Sequence, residues 1–354
     1  MPLIPLFGHE TLKKSLKESV ERGTLPASIL LHGPRGVGKQ RLAHWLAQLL
    51  LCTGETKPCG ACQSCRNANE LRHPDIHWFF PRPRLKDSDP DAEMIRDDIH
   101  EAIEERQASS GLYAPASGSE GLFVATVRAL VQTASMKPAL GARKVFIVGD
   151  AERMVAQEGA DQAANAFLKL LEEPPADTTI IITSSEPGAL LPTIRSRVAP
   201  IRVTTVSDAD VRLFLGHPAV AAFLEGDASV EDRIRLAAGA PGRLLAGEGP
   251  AKAMAAARRL YDAATGPAEA PLYAASLAQG AASARGVFSD ILESLIVILN
   301  ERTRDAVGRK NDLLALRTSR AVEAVARAQQ QADGNVNPQL ITAKLLRELR
   351  ATLQ

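Results

Sequence analysis

The sequence predicts an α/β fold in which a parallel sheet is covered on both faces by helices and an all-helical region follows. Three observations carry this expectation. Short, near-continuous apolar runs at Ser28–His32, Lys144–Val148 and Thr178–Thr183 read as strands buried on both faces. Segments with helical spacing alternate with them at Thr11–Arg22, Lys39–Leu51 and Asp161–Glu172. After about Val206 the strand signal ends and helical spacing continues alone.

Each element has a local reason. Leu12, Leu16 and Val20 fall on one face of the first helix, and Leu42, Trp45, Leu46 and Leu49 on one face of the second. The strands KVFIV and TTIIIT are rich in β-branched residues, and the helix between them is rich in alanine. The stretch Pro81–Gly121 breaks the alternation. It opens with PRPRLKDSDPD, continues as a charged helix over Ala92–Gln107 and ends in the small residues SSGLYAPASGSEG. It is expected to be an insertion at the periphery of the sheet. Ser207 precedes the acidic turn of SDADVRLFL and is an expected helix N-cap. Short helices are expected to about Gly249, where GEGP breaks the chain. An alanine-rich helical region then runs to Gln354, with Leu292, Leu295, Ile296 and Leu299 on an apolar face. Three domains are expected: a core over 1–205, a small helical domain over 206–249 and a helical domain over 250–354.

Composition narrows the function classes. The chain has 354 residues, 45% hydrophobic and 23% charged, with a formal net charge of +1, which excludes global disorder. Aromatics are only 4%, so aliphatic and alanine packing must fill the cores. No apolar run reaches the ~18–20 residues of a membrane helix; Ile291–Leu299 is short and interrupted by Glu293. The start, MPLIPLFGHE, lacks a basic region and an apolar signal stretch. A soluble, cytoplasmic protein with no membrane partner is expected. The near-neutral charge does not support strong autonomous binding to nucleic acid.

His32-Gly33-Pro34-Arg35-Gly36-Val37-Gly38-Lys39 lies between a predicted strand and a predicted helix, the setting of the phosphate loop G-x-x-x-x-G-K-[ST]. In such a loop Gly33, Gly36 and Gly38 let backbone N–H groups turn toward phosphate oxygens. The helix N-terminus adds positive potential, and Lys39 reaches the terminal phosphates. The last position departs from the pattern, because Gln40 stands where a Ser or Thr hydroxyl binds Mg²⁺. The strand that pairs with this loop in hydrolysing enzymes ends in Asp-Glu; here it ends in Gly149-Asp150. Glu152 is near, but is expected to point elsewhere. The loop reads as a nucleotide site with little or no ATPase of its own, and ATP or ADP binding is left open. The alternative is a glycine-rich turn without a ligand.

All four cysteines fall in Cys52-x6-Cys59-x2-Cys62-x2-Cys65. Four thiolates suit tetrahedral Zn²⁺, and a complete sulfur set leaves no position for a reacting water, so a structural zinc site over 52–65 is expected. Gly54 and Gly60 supply its turns. An iron–sulfur cluster, or buried or redox-active thiols, are the alternatives.

Several motifs together carry a family resemblance. They are Phe7-Gly8-His9-Glu10; Leu25-Pro26-Ala27-Ser28 before the glycine loop; Arg72-His73-Pro74-Asp75 after the cysteines; and Val127-Arg128-Ala129-Leu130. The most specific is Ala163-Ala164-Asn165-Ala166-Phe167-Leu168-Lys169-Leu170-Leu171-Glu172-Glu173-Pro174-Pro175. Leu191-Pro192-Thr193-Ile194-Arg195-Ser196-Arg197-Val198 completes the set. Over about Phe7–Val203 the chain resembles bacterial DNA polymerase III clamp-loader subunits, most closely the delta-prime type. Beyond that it is similar only in class, with Gly239-Ala240-Pro241-Gly242 weakly resembling the family's lid segment.

The resemblance implies an AAA+ P-loop NTPase-like sheet with a zinc knuckle, a small helical lid and an all-α collar. It implies a hetero-pentamer with gamma/tau and delta subunits that loads a sliding clamp onto primer–template DNA as part of the DNA polymerase III holoenzyme. Arg197 matches the family's arginine finger, which acts in trans on a neighbour's ATP site; the bland reading is a solvated arginine. Val198 replaces the family's cysteine. Thr183 matches the sensor position that contacts a γ-phosphate, or is a strand-end hydroxyl. A stator-like assembly subunit is expected. A gamma/tau-type motor is the alternative, disfavoured by Gln40, by Gly149 and by the lack of a long extension after the collar. A zinc-dependent nucleic-acid-binding module is a third reading. His73 is expected to be structural, and Arg82, Arg84 and Lys86 to solvate a loop.

Overall fold

The computed structural model describes residues 2–87, 89–115, 120–154, 161–224, 228–246, 249–268, 270–277, 285–333 and 337–353. Part of the small-residue stretch (116–119) and the first half of the GEGP break (247–248) lie outside these. Residues 1–245 and 246–354 form two compact units.

The first unit begins with α1 (Glu10–Glu21), β1 (Ser28–His32), α2 (Lys39–Leu51), α3 (Gln63–Asn69) and β2 (Ile76–Phe79). It continues with α4 (Ala92–Ala108), α5 (Val124–Ala134), β3 (Lys144–Val148), α6 (Asp161–Glu172), β4 (Thr178–Ser184), α7 (Pro192–Arg195) and β5 (Ala199–Arg202). The five strands form one parallel sheet in the order β2-β3-β4-β1-β5. The three apolar runs are its central strands. Ile29, Leu31, Phe146, Ile147, Ile180 and Ile182 are fully buried there, each contributing about 1.5–3 kcal/mol of transfer free energy. The edge strands β2 and β5 carried no clear signal. The first is four residues long and includes His77. The second alternates in burial and includes Pro200, which a sheet edge tolerates.

The insertion leaves the edge strand β2, and its helix has a buried face that the sequence reading did not anticipate. Asp91 caps α4 by accepting from the N–H groups of Glu93 and Met94. Ile95, Ile99 and Ala102 then enter the main core. Arg106 continues the same 4-3-4 stripe. Its guanidinium lies 4.3 Å from the Trp78 ring, 3.4 Å from Phe80 and 3.9 Å from Tyr113. The high charge of this helix concealed its buried face. Arg82 also departs from a solvated reading: it makes a two-pronged pair with Asp98, Nε and Nη2 each at 2.9 Å, while Arg84 and Lys86 are exposed.

The His-Pro-Asp segment holds the connection into β3. The Asp75 carboxylate, in a residue 1% exposed, accepts from the N–H groups of Ala139 (2.5 Å), Leu140 (2.9 Å) and Gly141 (2.7 Å). His73 is buried and structural, its Nδ1 accepting from the Asp75 N–H at 3.1 Å. Lys144, also buried, donates to the carbonyls of Ala134 and Met136.

Three short helices complete the unit, α8 (Asp208–Leu215), α9 (Pro218–Phe223) and α10 (Val230–Ala237). Ser207 caps α8 in a full capping box with Asp210. Phe7 meets Phe214 edge-to-face at 5.9 Å, and the Gly242 N–H donates to Gly36 O at 2.8 Å, so this subdomain packs on the glycine loop.

The described residues of the second unit carry helices and no strand: α11 (Gly249–Thr265), α12 (Ala270–Leu277), α13 (Arg285–Gly308), α14 (Asp312–Asp333) and α15 (Pro338–Leu353). Leu292, Leu295 and Leu299 of α13 are buried with Ala321 and Val325 of α14 and Leu345, Leu346 and Leu349 of α15. Thr303 and Thr318 share a hydrogen bond of 2.8 Å between α13 and α14. Among the described residues, no helix is long and apolar enough to cross a membrane.

Candidate nucleotide site and metal centre

β1 runs directly into the glycine loop, which wraps the N-terminus of α2. A Cβ at position 33 would lie 2.0 Å from Val203 O, and one at Gly36 (φ 74°) 2.4 Å from the Arg243 N. Both positions therefore require glycine. Gly38 is the N-cap of α2. Lys39 is buried, and its Nζ donates to Gly33 O (2.9 Å), Pro34 O (2.8 Å) and Ser185 Oγ (2.9 Å). The lysine thus folds back over its own loop, beside the end of β4.

Gln40 is 8% exposed and bound at both ends of its amide. Nε2 donates to Asp150 Oδ2 at 3.0 Å, and Oε1 accepts from Trp78 Nε1 at 3.0 Å. Asp150 sits past β3 in a left-handed conformation (φ 46°), and its N–H donates to Thr183 Oγ1 at 3.1 Å. The residues expected at the loop, Gly33, Gly36, Gly38, Lys39, Gln40, Asp150 and Thr183, therefore converge at the ends of β1, β3 and β4. Parallel sheets place ligand sites at these ends.

Glu152 does not point away from this cleft, contrary to expectation. It lines the cleft, its Oε1 accepts from the Ser185 N–H at 3.0 Å, and its buried Oε2 has no partner. Burial, reinforced by the neighbouring Asp150 charge, raises its pKa. The sequence reading also missed Trp78, Ser185 and Tyr113, because two of these sit on unrecognised or inserted segments. An apolar wall faces the loop, made by Leu6, Phe7, Phe214 and Leu245.

Beneath the loop, His44 packs edge-on to Trp78 at 4.5 Å. Burial, with the charges of Arg41 and Arg106, pulls its pKa down to about 3. Because the unfolded value is higher, near 6.5, the unfolded chain binds this proton first. Stability from the neutral imidazole is full above that value and is lost as pH falls toward 3. Unfolding free energy measured by urea titration should therefore fall with acidification from neutrality, by up to about 1.4 kcal/mol per pH unit for this group. His44→Phe should flatten that part of the profile; an unchanged slope would refute the assignment.

Arg197 lies apart from the cleft, just after α7. Its Nε donates to Glu172 Oε1 at 2.6 Å and its Nη1 to Thr193 O at 2.9 Å, and the residue is half-buried.

The four cysteines are brought to one point. Their sulfurs all lie within 4.8 Å of one another, with Cys59–Cys65 and Cys52–Cys62 each at 3.9 Å, and all four thiols are free. Ligands ~2.3 Å from a tetrahedral centre would stand at such separations. N–H groups of Gly54, Cys59, Cys62 and Cys65 point at the sulfurs at 3.3–3.4 Å, as donors that stabilise thiolates. Burial would raise the Cys62 thiol, but contacts with Thr53 and the Cys65 N–H hold it down to about 5. The set can hold a metal ion.

A glycine loop and lysine at the end of β1, with β4 inserted between β1 and β3, define a P-loop NTPase-like protein of the AAA+ type. The family described as "DNA polymerase III, delta subunit" matches residues 8–207, more than half of the chain, and the chain belongs to that family. DNA polymerase III subunit delta-prime of Pseudomonas aeruginosa is 35% identical over 170 residues, 48% of this chain and 40% of that protein. The delta-prime subunit of Bacillus subtilis is 29% identical over 185 residues, 52% of this chain and 44% of that one. The chain thus spans less than half the length of these relatives. A solved DNA polymerase III gamma subunit-related protein from Thermotoga maritima aligns over 96% of this chain and 99% of its own. Its identity is 18% and its TM-score 0.41, too loose a likeness to carry an argument.

Proposed function

We propose that the chain is a delta-prime-type subunit of a bacterial DNA polymerase III clamp loader. In this reading it joins gamma/tau and delta subunits in a cytoplasmic hetero-pentamer that places a sliding clamp on primer–template DNA. It hydrolyses little or no ATP itself and lends Arg197 to a neighbour's ATP site. Residues 206–249 serve as the lid and 250–354 as the oligomerising collar. Thr183, whose hydroxyl accepts from the Asp150 N–H, occupies the sensor position.

The observation that carries the reading is the family match over 8–207 combined with the hydrogen bond from Gln40 to Asp150, where a motor would gather Mg²⁺. The gamma/tau alternative requires a hydroxyl at position 40 and an acidic residue at 149, and the chain has neither. Reconstitution with gamma/tau and delta tests it: the chain should co-elute in the complex and be required for clamp loading. A complex that forms and loads equally well without it would sink the proposal.

The metal is assigned as one structural Zn²⁺ on Cys52, Cys59, Cys62 and Cys65, a closed sulfur set in a small loop. Metal analysis of reduced protein should find zinc near one equivalent per chain, and Cys65→Ser should lose it and expose the 52–65 segment to protease. Iron with visible charge-transfer absorption would overturn the zinc identity.

A further inference from the structure

The subdomain of α8–α10 does not bury its apolar face by itself. Phe214 of α8 and Val220 of α9 form one buried cluster with Ile4 and Leu112, and Phe7, Leu215, Phe223 and Leu224 pack around it. Ile4 belongs to the N-terminal segment and Leu112 to the insertion. Half of the buried cluster therefore comes from outside the subdomain.

Both outside residues are anchored before they reach it. The Leu3 N–H donates to Asn69 O at 2.7 Å and the Ile4 N–H to Ser110 O at 3.0 Å. Arg41 Nε donates to Ile4 O at 2.7 Å. Residues 3 and 4 are thus stitched to α2, to α3 and to the insertion. The insertion is gripped on either side of Leu112. Before it, Arg106 stacks on Trp78 and Phe80 at the sheet edge; after it, Tyr113 closes the same aromatic box. Ser110 and Gly111 make the turn between, both left-handed (φ 56° and 80°). The subdomain is held a second time at the glycine loop, through the bond from the Gly242 N–H to Gly36 O. Turning it on the sheet would pull Phe214 and Val220 off two residues that cannot follow.

We propose that the insertion is a strap that fastens the α8–α10 subdomain to the sheet edge through Leu112, with Ile4 as its second pin. A subdomain joined only by its link could hinge on the sheet. Strapped, the two open as one unit. The strap is a property of the single chain, with or without assembly.

Hydrogen–deuterium exchange of the full chain, read by mass spectrometry, tests it. In the natural chain the slowest amides of α8 and α9 should exchange within about tenfold of those in β1 and β4. A wider gap would show that the subdomain already opens alone and would overturn the strap. Leu112→Ala leaves a cavity in the shared cluster. It should speed exchange in α8 and α9 by about tenfold or more and leave β1, β3 and β4 within about threefold. Leu112→Met, which refills the volume, should restore most of the protection. No acceleration, or equal acceleration in subdomain and strands, would mean that Leu112 does not couple them. If Leu112→Ala does not fold, the natural-chain comparison and Leu112→Met decide.

Discussion

ATP turnover at the site completed by this subunit should fall by about three orders of magnitude or more when Arg197 is replaced by alanine, the scale of an arginine finger. The expectation rests on the proposed function and on how the residue is held. Arg197 follows α7, and Glu172 and the Thr193 carbonyl grip one part of its guanidinium. That grip reduces the rotamer freedom lost when the fork meets a phosphate. Arg197→Lys should not restore activity, because a point charge lacks the planar fork. Glu172→Gln should give a smaller defect, since it loosens the finger without removing it. The measurement is steady-state ATPase of the reconstituted complex with primed DNA and clamp. The isolated chain should show no change. A complex with full turnover would remove Arg197 from the ATP site.

Asp75→Ala should destabilise the first unit by about 3–5 kcal/mol, the cost of breaking a buried charge-assisted network. One carboxylate serves three consecutive N–H groups at 139–141, and without it those donors are left without their partner. Burial opposes ionisation of Asp75, but the three N–H bonds outweigh it and hold the pKa below the ordinary carboxylate value. Its contribution is therefore present at neutral pH and is lost only as pH falls below about 4. Asp75→Asn, which keeps one acceptor oxygen, should cost less. Urea unfolding reads the effect. A loss under about 1 kcal/mol would mean that the 139–141 turn holds itself.

Most of the architecture was legible in linear order. The central strands are continuous apolar runs, and their burial on both faces follows from composition alone. Ser207 with Asp210 announced a helix start through local hydrogen bonding. The loop glycines, Lys39 and the cysteines are close in sequence, so their spacing already carried the chemistry. Edge strands β2 and β5 were less legible because a strand covered on one side needs little apolar sequence. The α4 stripe was obscured because Arg106 lies where an apolar residue is expected, and a guanidinium suits that position only when aromatic rings gather around it.

By itself, then, the sequence determined the α/β class, the phosphate loop with its missing hydroxyl and carboxylate, the clustered thiols and the family motifs. These are properties of neighbouring residues, set by local backbone geometry and side-chain chemistry. Only the tertiary structure decided that the Gln40 amide bridges Asp150 and Trp78, that Glu152 faces the cleft and that the insertion supplies part of its wall. Gln40 and Gly149 are more than a hundred positions apart. Only the parallel pairing of the strands brings the end of β3 beside the start of α2, where the Gln40 amide donates to Asp150.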